Sequence, residues 1–145
     1  MRAYLIPLFV LLSTLVGCST PSKTAIDSIQ VVAESGANQN TTTALDIVFV
    51  YDATSAGLLP KTGPDWFDKK AALINGLTAG IEVVSLQAAP AMIVNVPLPK
   101  RHNDAIGVYS FSNYIAAAGQ ARGNLTAYKT MTIRLTPDNV VYSGR

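Results

Sequence analysis

The chain has 145 residues, of which 49% are hydrophobic and 14% are charged, and its formal net charge is +2. Charged residues usually make up about a quarter of a globular domain, so this composition favours one folded domain with a large apolar core. The small net charge, with no stripe of lysine and arginine, indicates no nucleic-acid partner.

The first 17 residues have the pattern of a secretory signal peptide. Arg2 supplies a positive start, and the apolar run at 5–12 is shorter than the roughly 20 residues that span a bilayer. The order LVGC at 15–18 resembles the lipobox of bacterial lipoproteins, in which the peptide is cut before the cysteine. Cys18 is the single cysteine, so it has no disulfide partner within the chain.

The lipobox resemblance implies that Cys18 is the mature N-terminus. Its sulfur would carry a diacylglycerol and its amine an acyl chain. Ser19 follows instead of aspartate, which by the usual sorting rule implies the outer membrane, on its inner leaflet facing the periplasm. The alternative is an ordinary secretory peptide with an incidental cysteine. We expect a signal peptide at 1–17, a lipidated tether at 18–25 and one domain at 26–145.

The domain begins with a predicted strand at about 26–34 and a polar loop. The loop carries no charge and offers several side-chain amide donors and acceptors. It can bind a partner or serve only as a solvated connection, and the residues alone leave both open. Its members are Ser35, Gly36, Ala37, Asn38, Gln39, Asn40, Thr41, Thr42 and Thr43.

The next run, at 44–52, is the clearest strand. Leu45, Ile47 and Phe49 share one face, and Val48 lies on the other, so we expect both faces of this strand to be covered. The aspartates at 46 and 52 flank the apolar centre and are interpreted as solvated strand ends.

A helix is predicted in the segment 63–77. Pro64 occupies a plausible first position, two aspartates lie near the start, and Asn75-Gly76 supplies a stop. Trp66 and Phe67 belong to an apolar stripe that also includes positions 71, 73 and 74, and this stripe is suited to packing on a sheet.

Five further strands are expected at about 79–88, 91–98, 104–114, 127–136 and 140–143, separated by proline-bearing turns. The fold class predicted from this spacing is mainly β, a β-sandwich of about seven strands with one inserted α-helix. The segment GQARGN at 119–124 is interpreted as a turn.

No catalytic or metal-ligating residues are predicted. The one histidine, His102, lies in a loop with basic neighbours, and no serine stands in a nucleophile elbow. A zinc site lacks thiolate and imidazole ligands. Asp65 and Asp68 are explained by the helix start. We therefore expect a protein that is not an enzyme and needs no cofactor beyond its lipid.

The order of features resembles the type VI secretion outer-membrane lipoprotein family, TssJ. A lipobox is followed by a strand, a loop bearing Asn38 and Asn40, the strand DIVFVYD and the aromatic helix DWFDKKAAL. The strand AIGVYSFSNY and a closing TMTIRLTPDNVVY complete the resemblance. The first loop lacks the Asn-Pro-Asp-like segment that is common in the family.

This resemblance implies a transthyretin-like sandwich that is not an enzyme and binds the periplasmic part of the inner-membrane protein TssM. The partner-binding loop would be 35–43. Two alternatives remain open: a pilotin or structural lipoprotein of another envelope machine, such as a type II secretion or pilus system, and a lipid-anchored enzyme or small-ligand binder with a pocket between helix and sheet.

Overall fold

The structure is a computed structural model that describes residues 17–145, so the predicted signal peptide lies outside the described residues except for Gly17. Two four-stranded sheets form a β-sandwich, with strand orders β4-β1-β7-β8 and β3-β2-β5-β6. Pairing is antiparallel except between β1 and β7, which are parallel. The strands are β1 (Ser28–Ala33), β2 (Thr43–Val50), β3 (Ile81–Ala88), β4 (Ile93–Asn95), β5 (Gly107–Ser112), β6 (Gly123–Asn124), β7 (Thr130–Leu135) and β8 (Val140–Gly144).

The main core lies between the two sheets and follows the period of two that strands impose. One face of β1, β2 and β7 supplies fully or almost fully buried side chains, and these interdigitate in one cluster. The predicted coverage of both faces of β2 is confirmed, because Val48 and Val50 are also fully buried, on the opposite side of the sheet. The three strands contribute Ile29, Val31, Ala33, Leu45, Ile47, Phe49, Met131, Ile133 and Leu135.

The second core lies between the outer face of the β2–β5 sheet and the helix α3 (Gly63–Gly76). Trp66 is fully buried and its ring stacks on Phe111, with centroids 4.8 Å apart. Phe67 packs against the same cluster as a partly buried residue, whereas Ala71 of the predicted stripe is exposed. The helix therefore packs on the sheet as predicted, through a stripe centred on Trp66.

Asp46 corrects the interpretation of the aspartates as solvated strand ends. It is only 1% exposed, in the middle of β2, and its carboxylate accepts a 2.8 Å hydrogen bond from the indole Nε1 of Trp66. Lys70 of α3 forms an ion pair with the same oxygen at 2.8 Å. A buried carboxylate needs such partners, so Asp46 helps to hold the helix on the sheet.

The structure adds helical elements that the sequence pattern did not predict. The short helix α2 (Ala53–Leu58) begins at Asp52, whose side chain accepts a 2.7 Å hydrogen bond from the amide of Ser55. This hydrogen bond lowers the pKa of Asp52. A single turn, α1 (Ala37–Asn40), lies between β1 and β2, and 3-10 turns occupy His102–Asp104 and Ala117–Gly119. The helices within 17–145 are all too short or too polar to cross a bilayer.

Candidate partner-binding surface

The connection between β1 and β2 is a compact turn with an unusual backbone. Gly36 has φ +82°, and Asn38, Gln39 and Asn40 follow with φ of 48°, 53° and 59°. Three consecutive left-handed residues are uncommon, because the left-handed conformation brings Cβ close to the backbone carbonyl in L-residues. Asparagine is among the residues that adopt this conformation most readily, which fits its presence at both ends of the run.

The turn is held by hydrogen bonds to itself and to the β7–β8 connection. Within the turn, the amide of Asn40 donates to the carbonyl of Gly36 at 3.0 Å, and the amide of Thr41 donates to the carbonyl of Ala37 at 3.2 Å. The amide of Asn38 donates across to the carbonyl of Thr136 at 3.0 Å, and that of Gln39 donates to Pro137 at 3.0 Å. The loop is therefore an ordered element of the fold.

Asn38 connects this loop to the segment after β5. Its side chain is 1% exposed. The carboxamide oxygen accepts a 2.9 Å hydrogen bond from the amide of Ile115, and the carboxamide nitrogen donates to the carbonyl of Asn113 at 3.3 Å. Both hydrogen-bonding ends of the side chain are thus satisfied inside the protein, as burial requires.

In the loop predicted to contact a partner, some side chains therefore point into the protein and others are exposed. Ala37 and Thr43 are fully buried and Asn38 almost so, and Thr43 is already the first residue of β2. The burial of these three side chains follows from packing, because a compact turn directs some of its side chains into the core. The side chains that remain exposed are those of Ser35, Gln39, Asn40, Thr41 and Thr42.

The end of the sandwich that carries this loop is called the loop pole here. It comprises the four connections 34–42, 89–92, 113–122 and 136–139. The amide of Ala91 donates to the carbonyl of Glu34 at 3.1 Å, and Tyr114 donates its hydroxyl to the carbonyl of Thr136 at 2.6 Å. Burial raises the pKa of Tyr114 to about 12. The connections therefore support one another.

Backbone strain in the described residues is concentrated at the loop pole. The non-glycine residues with positive φ are Asn38, Gln39, Asn40 and Ala91, which has φ 66°. Each such residue costs on the order of 1 kcal/mol or more and persists only where surrounding contacts determine its conformation. Strained residues cluster at functional sites, so this end of the molecule is the candidate binding surface.

The opposite end of the sandwich carries the start of the domain and is called the anchor pole. The amide of Thr24 donates to the carbonyl of Ala105 at 2.7 Å, and Ile26 is 1% exposed. Lys23 forms an ion pair with Asp104 at 2.8 Å, which lowers the pKa of that carboxyl group. The chain is therefore attached to the domain from Lys23 onward, earlier than the predicted tether end at residue 25.

Cys18 is exposed and free in the structure and lies five residues before this attachment. An extended chain covers at most about 3.6 Å per residue, so Cys18 lies within about 18 Å of the attached Lys23. Strand β1 then runs from the anchor pole to the loop pole, and its six residues span about 20 Å. The loop at 35–43 and the predicted lipid site thus lie at opposite ends of the domain.

The residues weighed for catalysis do not come together. His102 lies in a 3-10 turn near the anchor pole, where Nδ1 is 2.8 Å from the carbonyl oxygen of Pro99. Asp65 lies in the first turn of α3, whose N-cap is Thr62. In residues 17–145, no three histidine, cysteine, aspartate or glutamate side chains are grouped so that they could hold a metal ion.

A groove of about 340 Å³ lies where the chain leaves β4, next to the beginnings of β1 and β7. Its position differs from the pocket between helix and sheet that a small-ligand binder was expected to have. The groove is open, and its wall is as apolar as it is polar. The polar part includes Ser28, Gln30, Asn95, Thr130 and Thr132, and the apolar part Ile29, Val96, Leu98 and Met131.

No protein-family model and no curated protein sequence matches the chain. Solved structures do match its fold. The type VI secretion lipoprotein TssJ1 from Pseudomonas aeruginosa superimposes with a TM-score of 0.61 at 13% identity, over 81% of this chain and 94% of TssJ1.

Two further structures have similar scores. Lip from Serratia marcescens, a membrane-bound component of the type VI secretion system, has a TM-score of 0.57 at 10% identity, over 87% of this chain and 99% of Lip. A structure described as the TssM C-terminal domain from EAEC has a TM-score of 0.56 at 11% identity, over 80% of this chain and 98% of the matched chain. The predicted fold class is thus confirmed, and the chain has the β-sandwich fold of the type VI secretion lipoproteins TssJ1 and Lip.

Proposed function

We propose that the protein is a periplasmic lipoprotein, anchored in the outer membrane through Cys18, that docks the periplasmic part of a TssM-like inner-membrane protein. It would connect a type VI secretion membrane complex to the outer membrane and would act by binding, without catalysis. The fold shared with TssJ1 and Lip supports the type VI role, and LVGC at 15–18 supports the anchor.

The observation that carries the docking role is that the predicted lipid site and the β1–β2 loop lie at opposite ends of the domain. An anchor at Cys18 holds the anchor pole near the bilayer, because Cys18 lies only five positions before Lys23, which forms the ion pair with Asp104. The loop pole then faces away from the outer membrane, where the periplasmic part of an inner-membrane protein can reach it. The exposed residues Gln39 and Asn40 lie at that end.

The fixed conformation of the loop supports the same conclusion. Binding costs free energy when flexible side chains and loops must be ordered, at about 0.5–1.5 kcal/mol for each immobilised side chain. Backbone hydrogen bonds to Thr136 and Pro137 already hold this loop in place. A strained turn that is fixed before the partner arrives avoids part of this cost.

A binding measurement tests this proposal. The probe is the C-terminal periplasmic domain of the TssM-like protein from the same organism. The domain at 22–145 is suitable because the core begins at Ile26 and the two clusters lie within it. We expect the double variant Gln39→Ala/Asn40→Gly to bind at least about tenfold more weakly than the wild type if both side chains contribute contacts. Glycine at position 40 tolerates the positive φ.

The matched control removes two exposed carboxamides at the other end of the domain, Asn75→Ala/Asn103→Ala. This control should bind as the wild type does. Equal affinity of the loop variant and the control, with both folded, would place the interface outside this loop. A wild-type domain that does not bind the TssM-like protein would refute the docking role and favour a lipoprotein of another envelope machine.

The anchor is tested separately in cells. Cys18→Ser should yield a protein that no longer floats with outer membranes in a density gradient, whereas the wild type does. Continued flotation of the variant after a high-salt wash would contradict acylation at Cys18.

A further inference from the structure

Exposed apolar side chains at the loop pole lie beside the polar loop. Six large hydrophobic residues are exposed in the described chain, and three of them lie in the connections 89–92 and 113–122 or directly after them: Met92 at 41%, Ile93 at 68% and Ile115 at 53%. Single exposed hydrophobic residues are ordinary, but apolar residues gathered near one another mark interaction surfaces. These three are called the apolar flank.

The apolar flank is attached directly to the β1–β2 loop on both sides. On one side, the amide of Ile115 donates to the buried carboxamide of Asn38 at 2.9 Å. On the other side, the amide of Ala33 donates to the carbonyl of Met92 at 2.8 Å, at the start of the same loop. Ile93 lies on the edge strand β4 and pairs with Val32 of β1. Hydrogen bonds thus connect the loop, or the residue just before it, to residues whose side chains are apolar and exposed.

We infer that the apolar flank and the exposed loop residues form one docking surface, and that the partner presents an apolar, charge-poor face to it. This inference rests on the proposed function and names the residues that supply most of its affinity. Side-chain amides such as that of Gln39 would give hydrogen bonds and orientation, while Ile93 and Ile115 would supply buried apolar area.

The charges near the loop pole agree with such a partner. Four charged side chains lie in or near these connections: Glu34, Arg122, Arg134 and Asp138. Arg134 lies 3.9 Å from Glu34, and the guanidinium of Arg122 lies over the ring of Tyr109, 4.5 Å from its centroid. This end therefore has no basic or acidic cluster that could steer a highly charged partner. It also lies at the far end from Cys18, which makes a lipid surface an unsuitable occupant for the apolar flank.

The test uses single alanine variants of the domain at 22–145 and the periplasmic domain of the TssM-like protein as probe. Leu58→Ala is the matched control, because Leu58 is 55% exposed but lies at the end of α2, on the helical side of the sandwich. We expect Ile115→Ala and Ile93→Ala each to weaken binding at least about tenfold, and Leu58→Ala to leave it unchanged. Circular dichroism and the urea midpoint confirm folding.

The salt dependence gives an independent readout. For a charge-poor interface, we expect the dissociation constant to change less than about threefold between 50 mM and 500 mM NaCl, since there is little long-range attraction to screen. A change of tenfold or more would overturn the inference about the partner's chemistry.

The outcomes separate this inference from the proposed function. Wild-type binding with unaffected Ile93→Ala and Ile115→Ala variants would refute the role of the apolar flank and leave the docking role intact. Absence of wild-type binding would refute both. Self-association of the wild-type domain that Ile115→Ala abolishes would assign the surface to a second copy of this chain and also overturn the inference.

Discussion

Replacing Asn38 tests whether the left-handed turn is held as the structure indicates. Asn38→Ala removes two hydrogen bonds of a buried side chain, to Ile115 and Asn113, and a net loss of about 1 kcal/mol is typical for each. It also places alanine at φ 48°, which adds on the order of 1 kcal/mol. The expected loss in unfolding free energy is therefore about 2–3 kcal/mol.

Asn38→Gly separates the two contributions. Glycine loses the same hydrogen bonds but accepts a positive φ, although it also gives the unfolded chain more freedom. We expect Asn38→Gly to be about 1 kcal/mol less destabilising than Asn38→Ala. The assay is urea denaturation of the domain at 22–145, followed by the fluorescence of Trp66, the single tryptophan. A glycine variant no more stable than the alanine variant would refute the argument from strain, and a loss below about 0.5 kcal/mol for alanine would refute the argument from hydrogen bonds.

Three further predictions concern the packing and charge of the domain. Trp66→Ala should lower the unfolding free energy by about 3–5 kcal/mol in a urea titration followed by circular dichroism, because it leaves a cavity and deprives Asp46 of a donor; an unchanged midpoint would contradict the burial of the indole. Gly63→Ala should be strongly destabilising in the same titration, since a Cβ there would lie 1.9 Å from the carbonyl oxygen of Ser112. Gly57→Ala is the control, because a Cβ at position 57 has open space, and it should stabilise the domain by up to about 1 kcal/mol. Equal effects of the two substitutions would refute the close approach at Gly63. The pKa of Tyr114 is raised to about 12, so the stability that this group contributes is present below its unfolded pKa of about 10 and is lost as the pH rises toward 12. Between pH 10 and pH 12, the urea midpoint of Tyr114→Phe should therefore fall less than that of the wild type.

The strands and the main helix could be predicted because their periodicity is local. Alternation in β2 identified Leu45 and Ile47 as core residues, and its second apolar face indicated the layer that α3 provides. Asp46 was misinterpreted because its partner Trp66 lies 20 residues away, and sequence spacing alone does not reveal that contact. The two-residue strand β6 is too short to show a period at all.

The candidate site was harder to predict from the sequence than the fold. The run 35–43 could be recognised as a polar loop, but its left-handed backbone depends on contacts with Thr136 and Pro137, almost 100 residues away. The burial of Asn38 depends in the same way on Ile115. The apolar flank escaped detection because an exposed isoleucine and a buried one look alike in a sequence.

The central claim is that the loop pole meets the TssM-like protein while the anchor pole faces the outer membrane. Site-specific photo-crosslinking in cells tests it most directly, with the full-length protein carrying a photoreactive residue at Asn40 or at Asn103. Both positions are exposed, one at each pole. We expect position 40 to crosslink to the TssM-like protein and position 103 to give no such product. Crosslinking to that protein from position 103 and not from position 40 would contradict the account.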